Sequence, residues 1–296
     1  MIERVSFSAP LLKNLNEEGF LCADMHFHTK YSDTFTRPRT VVKLAAKKGI
    51  GVAITDHNHI QGCIDAHKEN KKFGIDIING MEVSTKQGPH ILAYFYNVDD
   101  MKEFYNKYVK DFKNKNPYMA LKTPTEKIVE GIKKNNGIVS VAHPRSISMW
   151  DLQRKVNSGA IDKSVLDSID CAEVICGLII RKMNVRAIKW AHDRKLGITG
   201  GSDGHTITRL GSVVTFAKAD CADSLLDCVI KKKNFVIGSE TKILPRAYSY
   251  SKALTKHSRY VGPAMQIQYR LGFKDSIRNL REKISNGRKR ISERFL

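Results

Sequence analysis

One pattern constrains this chain more than any other: helices with terminal signals alternate with short apolar strands, and a histidine or acid follows almost every strand. Thr36 to Lys48 reads as a helix, with Pro38 near its start and Gly49 just past its end. The strand Ile50–Thr55 follows and delivers Asp56-His57-Asn58-His59. A helix from Gln61 to Phe73 leads to a strand from Ile75 to Gly80 and then to Met81-Glu82. Thr123-Pro124-Thr125-Glu126 reads as a capping box with proline at the first helical position, opening a helix that stops at Asn135-Asn136-Gly137. The strand Ile138–Ala142 then delivers His143-Pro144. Ile169–Ile175 is a further strand, and a helix from Lys182 to Lys195 leads to Gly201-Ser202-Asp203-Gly204-His205. Such alternation argues for an α/β fold with a parallel sheet or barrel. In those folds reactive groups gather where strands end.

The length, 296 residues, accommodates one barrel-sized domain with an appendage. We expect an N-terminal extension over 1–20, the main domain over 21–250 and a basic amphipathic helical tail over 251–296. Phe273, Ile277, Leu280, Ile284, Ile291 and Phe295 recur in the tail at helical spacing, with Lys and Arg on the other face. No apolar run is long enough to span a membrane, and the N-terminus lacks the features of a secretory signal, so a cytoplasmic location is expected. The cysteines Cys22, Cys63, Cys171, Cys176, Cys221 and Cys228 form no C-x-x-C pair; we expect reduced, mostly buried thiols.

The net charge is +20, and from Thr241 onward 14 Lys and Arg face 3 Asp and Glu, so about half the excess sits in the tail. This balance favours polyanionic partners such as nucleic acid, nucleotides or an anionic membrane surface; the tail reads either as a helix docked on the barrel or as a contact for nucleic acid or a membrane surface. The stretch from Asp99 to Lys122 is rich in lysine and aromatic residues and reads as a helix plus loop, with a solvated face favoured over a segment that covers one side of the site and holds substrate.

Chemistry concentrates in a few segments. His26-Phe27-His28 places two imidazoles on one side of an extended strand, because side chains alternate with period two. Asp33, His57, Glu82, His90, His143, Asp203 and His205 complete the set. Six imidazoles and three carboxylates exceed what one ion requires and suit two or three divalent cations with a bridging carboxylate. A nitrogen and oxygen set without thiolate favours zinc, manganese or iron over calcium or magnesium.

Asp24-Met25-His26-Phe27-His28-Thr29 with Tyr31-Ser32-Asp33, Ile54-Thr55-Asp56-His57-Asn58, Gly80-Met81-Glu82, Ala142-His143-Pro144 and Gly201-Ser202-Asp203-Gly204-His205 together resemble the PHP (polymerase and histidinol phosphatase) superfamily. Their order resembles the branch containing nucleoside 3′,5′-bisphosphate phosphatases and 5′-to-3′ exoribonucleases. The resemblance spans about 21–239 and implies a distorted (β/α)7 TIM-like barrel with a trinuclear site. It implies one metal on His26, His28, Glu82 and Asp203, a second on Asp33, His57 and His205, and a third on Glu82, His90 and His143, with Glu82 bridging. Thr34 stands where family members often carry glycine, and the spacing from Glu82 to His90 is short.

The expected activity is hydrolysis of phosphate esters, of nucleotides or nucleic-acid ends, by a metal-bound hydroxide, with Glu82, Asp203 and His205 at the reacting centre. Asp24 and Asp56 are candidates to orient imidazoles. Arg145, Arg181 and Arg209 are candidates to hold substrate phosphate, with Lys30 and His59 behind them. Three rival readings remain: a small-molecule phosphatase acting on an ester such as histidinol phosphate, a metal-dependent amidohydrolase, and a nucleic-acid-binding protein built on the same scaffold.

Overall fold

A computed structural model describes residues 2–146 and 149–269. After a short β1 (Val5–Ser6) and α1 (Leu12–Glu17), the chain runs through β2 (Leu21–Phe27), α2 (Pro38–Lys48), β3 (Gly51–Ile54), α3 (Gln61–Asn70), β4 (Ile77–Ser84) and β5 (His90–Phe95). Next come α4 (Val98–Tyr108), α5 (Thr125–Lys134), β6 (Ile138–Val141), α6 (Leu152–Asn157), β7 (Cys171–Cys176), α7 (Arg181–Asp193) and β8 (Gly197–Gly201). The described chain closes with β9 (Val213–Ala217), α8 (Ala222–Ile230), β10 (Phe235–Gly238), α9 (Ile243–His257) and α10 (Val261–Gln268).

The ten strands form one sheet in the order β1-β10-β9-β2-β3-β4-β5-β6-β7-β8. It curls until its last strand meets β2: Phe27 and Gly204 form a parallel bridge, and His28 N donates to Gly204 O at 3.2 Å. Only glycine allows this approach, since a Cβ at Gly201 would lie 2.4 Å from His26 Cβ.

The regular βα repeat of the expected (β/α)7 barrel is interrupted. β5 follows β4 antiparallel through the tight turn at Thr85–Pro89, with no helix between them, and then pairs antiparallel with β6. β9 also runs antiparallel to β2. The turn carries Gly88-Pro89, which closes a hairpin where a crossover was expected.

Strands such as β3, β6 and β7 are buried along their whole length, as expected where both faces are covered. Side-chain alternation divides them. Val52 and Ile54 face the helices, whereas Ala53, Met25, Ile78, Leu92 and Tyr94 fill an inner layer. Leu225, Leu226 and Val229 of α8 pack on that layer. Ala222 N donates to Asp76 just ahead of β4, and Tyr96 Oη donates to Asp227 just beyond β5. α8 therefore closes the end of the sheet where the parallel strands begin, leaving the other end for the polar cluster.

Two helix ends differ in instructive ways. α2 ends as expected on Gly49, at φ 64°. α5 does not use the expected capping box: Pro124 is the N-cap residue, Thr123 Oγ1 donates to Tyr108 O, and Gln87 Oε1 accepts from Thr125 N at 2.9 Å. α9 runs unbroken across positions 250 and 251. The tail residues from 270 onward lie outside the described residues, as does the amphipathic pattern from Phe273 to Phe295. Among the described residues no helix is long and apolar enough to cross a membrane.

Candidate metal centre

Strands β2, β3, β4, β5, β6 and β8 deliver polar residues to the same rim. β2 supplies His26 and, one residue beyond its end, His28, both fully buried. His57 follows β3, Glu82 lies within β4, and His90 opens β5, whose reversed direction brings its first residue to this end. His143 follows β6; Asp203 and His205 follow β8. His143 and Asp203 adopt φ of 31° and 49°, left-handed conformations uncommon for residues with a Cβ and concentrated where function imposes them.

Glu82 is the hub. Its carboxylate lies within 3.5 Å of five imidazoles: His26 (3.4 Å), His28 (3.5 Å), His57 (3.0 Å), His90 (2.9 Å) and His143 (3.4 Å). Asp33 Oδ2 meets His205 Nε2 at 2.9 Å and His57 Nε2 at 3.7 Å. Asp203 Oδ1 meets His28 Nε2 at 3.1 Å, His205 Nδ1 at 3.5 Å and His26 Nε2 at 3.7 Å. All nine residues proposed from the sequence thus form one connected cluster.

The carboxylates and imidazoles of the cluster shift one another strongly. Burial would raise the Glu82 carboxyl, but His57, His26 and His90 hold it well below the usual range. Asp33 is likewise held low against burial by His205 and His57. Burial would lower His57 and His205, yet the neighbouring carboxylates lift them to about 9 and about 10. His28 goes the other way, to about 4, because burial dominates.

The residues fit a polynuclear cation site on three observations. The Nε2 atoms of His26 and His28 face each other at 3.1 Å, so a single cation between them could take a lone pair from each ring. Glu82 Oε2 and Asp33 Oδ1 are buried without a hydrogen bond among the described residues. Three groups have ligating atoms within 4.8 Å of one another: His28, His57 and His205; His26, His28 and Glu82; and His57, Glu82 and His90. Burial first and the Glu173 and Asp203 carboxylates next push the Cys176 thiol well up, and it donates to Asp203 Oδ2 at 3.4 Å.

The supporting residues differ from those expected. Asp24 accepts from the backbone N–H groups of His26, Ser202 and Gly211 and so staples β2 to the β8 end, without touching an imidazole. Asp56 accepts from Thr29 N, Thr29 Oγ1 and Ser32 Oγ, and reaches His28 only through Ser32, whose Oγ lies 3.3 Å from His28 Nδ1. The carboxylate that does hold an imidazole is Glu173, on β7: its Oε1 lies 3.0 Å from His26 Nδ1, and its Oε2 accepts from His143 N at 2.9 Å. Its signal was a lone acid inside the apolar strand Cys171–Cys176. Glu173→Gln is expected to weaken metal affinity about 10- to 100-fold, measured by chelator competition. Affinity equal to wild type would make Glu173 a packing residue.

A cavity of about 460 Å³ opens above the cluster. Its floor includes Asp33, His57, Glu82 and Asp203; its walls are apolar and include Met119, Trp150, Leu178 and, from α9 and α10, Leu254 and Met265. Arg145, Arg181 and Arg209 do not line it. Arg145 pairs with Asp151 at 2.9 Å, Arg181 pairs with Glu240 and lies over the Phe7 ring, and half-buried Arg209 donates to Ser239 O. Lys30 and His59, the weaker candidates, do lie beside the cluster, in a second pocket that shares His57.

The profile of the PHP domain matches residues 24–123, and that of the PHP-associated region matches 182–233. An uncharacterized protein of Methanocaldococcus jannaschii is 35% identical over 136 residues, 42% of this chain and 68% of that protein. The chain belongs to the PHP family. The 3′,5′-nucleoside bisphosphate phosphatase of Chromobacterium violaceum is 37% identical over 68 residues, 23% of this chain and 24% of that one. In fold, this PHP protein is similar to a two-domain protein of Bacteroides vulgatus containing a predicted PHP-like metal-dependent phosphoesterase. That likeness has a TM-score of 0.55 at 18% identity, covering 79% of this chain and 68% of the other. α9 and α10, which roof the cavity, lie beyond both profile matches.

Proposed function

We propose that this PHP protein is a metal-dependent phosphoesterase acting on nucleotides or nucleic-acid ends. The observation that carries the reading is the gathering of six imidazoles and three carboxylates into one cluster at the floor of an apolar cavity, with Glu82 within 3.5 Å of five of the rings. His26, His28, Glu82 and Asp203 would hold one cation, Asp33, His57 and His205 a second, and Glu82, His90 and His143 a third. Manganese, zinc and iron suit this donor set. When bound, such cations neutralise phosphate oxygens, acidify water and stabilise the leaving oxygen.

The chain's own residues do the rest. Glu82 balances the charge of the groups around it, and Asp33 and Asp203 hold His205 between them. Glu173 fixes the His26 ring from behind. The walls exclude water and accept an uncharged, flat or apolar alcohol such as a nucleoside, whose burial against Met119, Trp150 and Leu254 is favourable. An amidohydrolase reading is less well supported, because the shared central ligand is Glu82 rather than a lysine.

A panel of phosphomonoesters, nucleoside bisphosphates and short RNA and DNA, assayed with manganese and with zinc, tests the reading. Hydrolysis that depends on added metal and stops with chelator is expected, with no turnover of amides or lactams. No phosphoester cleaved under either metal would reject it.

A further inference from the structure

Besides Glu82 Oε2 and Asp33 Oδ1, five buried side-chain atoms lack a hydrogen bond among the described residues. Four of the five belong to one region: Arg209 Nε, Ser212 Oγ, Thr241 Oγ1 and Arg246 Nε. The two unpartnered atoms of the metal centre are carboxylate oxygens, which suit a cation. In this second group two are guanidinium donors and two are hydroxyls that can donate, which suits an anion. Buried polar atoms are so rarely left unpaired that four together ask for a ligand.

The four residues meet on the segment 239–241, between β10 and α9. Arg209 Nη2 donates to Ser239 O at 3.4 Å, and Arg246 Nη2 donates to Thr241 O at 2.7 Å. Ser239 N donates to Ser212 O at 3.3 Å, and Thr241 N donates to Gly177 O at 2.7 Å. Thr241 is 2% exposed and stands just before α9, whose N-terminus has neither a side-chain cap nor an acid in its first turn. Among the described residues each guanidinium donates only to its one carbonyl, and neither pairs with a carboxylate. The nearby acids are engaged elsewhere: Asp24 accepts from three backbone N–H groups, and Glu240 pairs with Arg181. Burial lowers the Arg209 guanidinium, Asp24 raises it, and Arg246 lowers it further. Two part-buried like charges without a counter-charge cost stability, which an anion between them would return.

We propose that Arg209, Ser212, Thr241 and Arg246 form a site for a small tetrahedral oxyanion, inorganic phosphate or sulfate, that clamps α9 onto the barrel. Planar forks of N–H donors suit such an anion, and the hydroxyls and the first turn of α9 add to them. The site is separate from the metal centre, since none of the four residues lines the cavity. The burial of the four unpartnered atoms favours a free anion over a phosphate that carries an organic group. Arg209 follows β8, whose end bears Asp203 and His205, whereas Arg246 belongs to α9. One anion therefore ties the metal-bearing rim to the helix that brings Tyr250, Ala253 and Leu254 to the cavity.

The test titrates the manganese-loaded full chain with sodium sulfate, against sodium chloride at matched ionic strength. Sulfate up to about 5 mM, where general salt effects are small, is expected to raise the melting temperature by about 2 °C or more and to saturate. It should also slow amide exchange across 242–257 by on the order of fivefold, because the clamped helix opens less often. Both responses should vanish in Arg209→Met/Arg246→Met. Sulfate bound at the metal centre would act equally on that variant, so the pair of substitutions tells the two places apart.

A measurement on wild type alone stands apart from any folding defect in the variant. Crystals soaked in selenate, a heavier analogue of sulfate, should show an anomalous peak between Arg209 and Arg246. A peak at the metal centre alone, no sulfate response in wild type, or a response that survives the methionine pair would each overturn the proposal. None of these readouts involves turnover, so the phosphoesterase reading is judged separately by the hydrolysis panel.

Discussion

Glu82→Gln is expected to lower kcat/KM for phosphoester hydrolysis by roughly 1,000-fold or more and to abolish the rise in melting temperature on adding manganese or zinc. The substitution keeps the shape of the side chain and removes one charge. That charge is the one shared by His26, His28, His57, His90 and His143, all within 3.5 Å. Every cation position assigned here either uses Glu82 or adjoins a ligand that does, so the loss cannot stay local. The metal-free protein should also be destabilised, by roughly 3–5 kcal/mol, because a buried carboxylate that offsets several imidazolium groups is gone. Metal analysis of the purified variant and thermal unfolding with and without metal check both statements. A variant that retains wild-type metal content and activity within tenfold would remove Glu82 from the centre of the scheme.

The site was legible in the sequence because its residues share one local rule. Most ligand candidates sit at or just beyond the end of a strand, and strand ends can be read from apolar runs bounded by turn signals. His26 and His28 carried a further clue, since the period of two puts both rings on one face. The reversed β5 was less visible: His90 belongs to the start of its strand, and it reaches the rim only because Gly88-Pro89 closes a hairpin rather than a crossover.

Residues that act across long sequence distances were not legible. Glu173 belongs to no motif, and its role depends on β7 lying beside β6, which only the sheet order reveals. Arg145, Arg181 and Arg209 looked like phosphate ligands because they neighbour motif segments, but adjacency in sequence does not fix side-chain direction. Asp151, six residues further along the same loop, claims the first, and Glu240, from a distant segment, claims the second. Lys113 shows the converse. It lies far from His57 in sequence, in a segment that reads as a solvated lysine-rich loop, yet it forms one wall of the pocket beside that histidine. The apolar roof from α9 and α10 falls where composition suggested the start of a basic tail.

Asp203→Asn is expected to reduce manganese-dependent hydrolysis by roughly 100- to 1,000-fold while leaving a cooperative unfolding transition and an unchanged far-ultraviolet spectrum. The backbone argument and the charge argument separate cleanly at this position. Asp203 sits at φ 49°, a conformation that asparagine adopts as readily as aspartate, so the substitution adds no strain. What changes is the charge presented to His28 at 3.1 Å, His205 at 3.5 Å and His26 at 3.7 Å. The main-chain carbonyl of Asp203 still accepts from His205 Nδ1 at 2.9 Å, which keeps that ring in place in the variant. Asp203→Ala should be worse in stability as well as rate, because alanine is disfavoured at this φ and leaves the Cys176 thiol without its Oδ2 acceptor. If the asparagine variant hydrolyses within threefold of wild type, Asp203 serves the turn after β8 rather than the reaction, and the cation on His26, His28 and Glu82 has lost its fourth ligand.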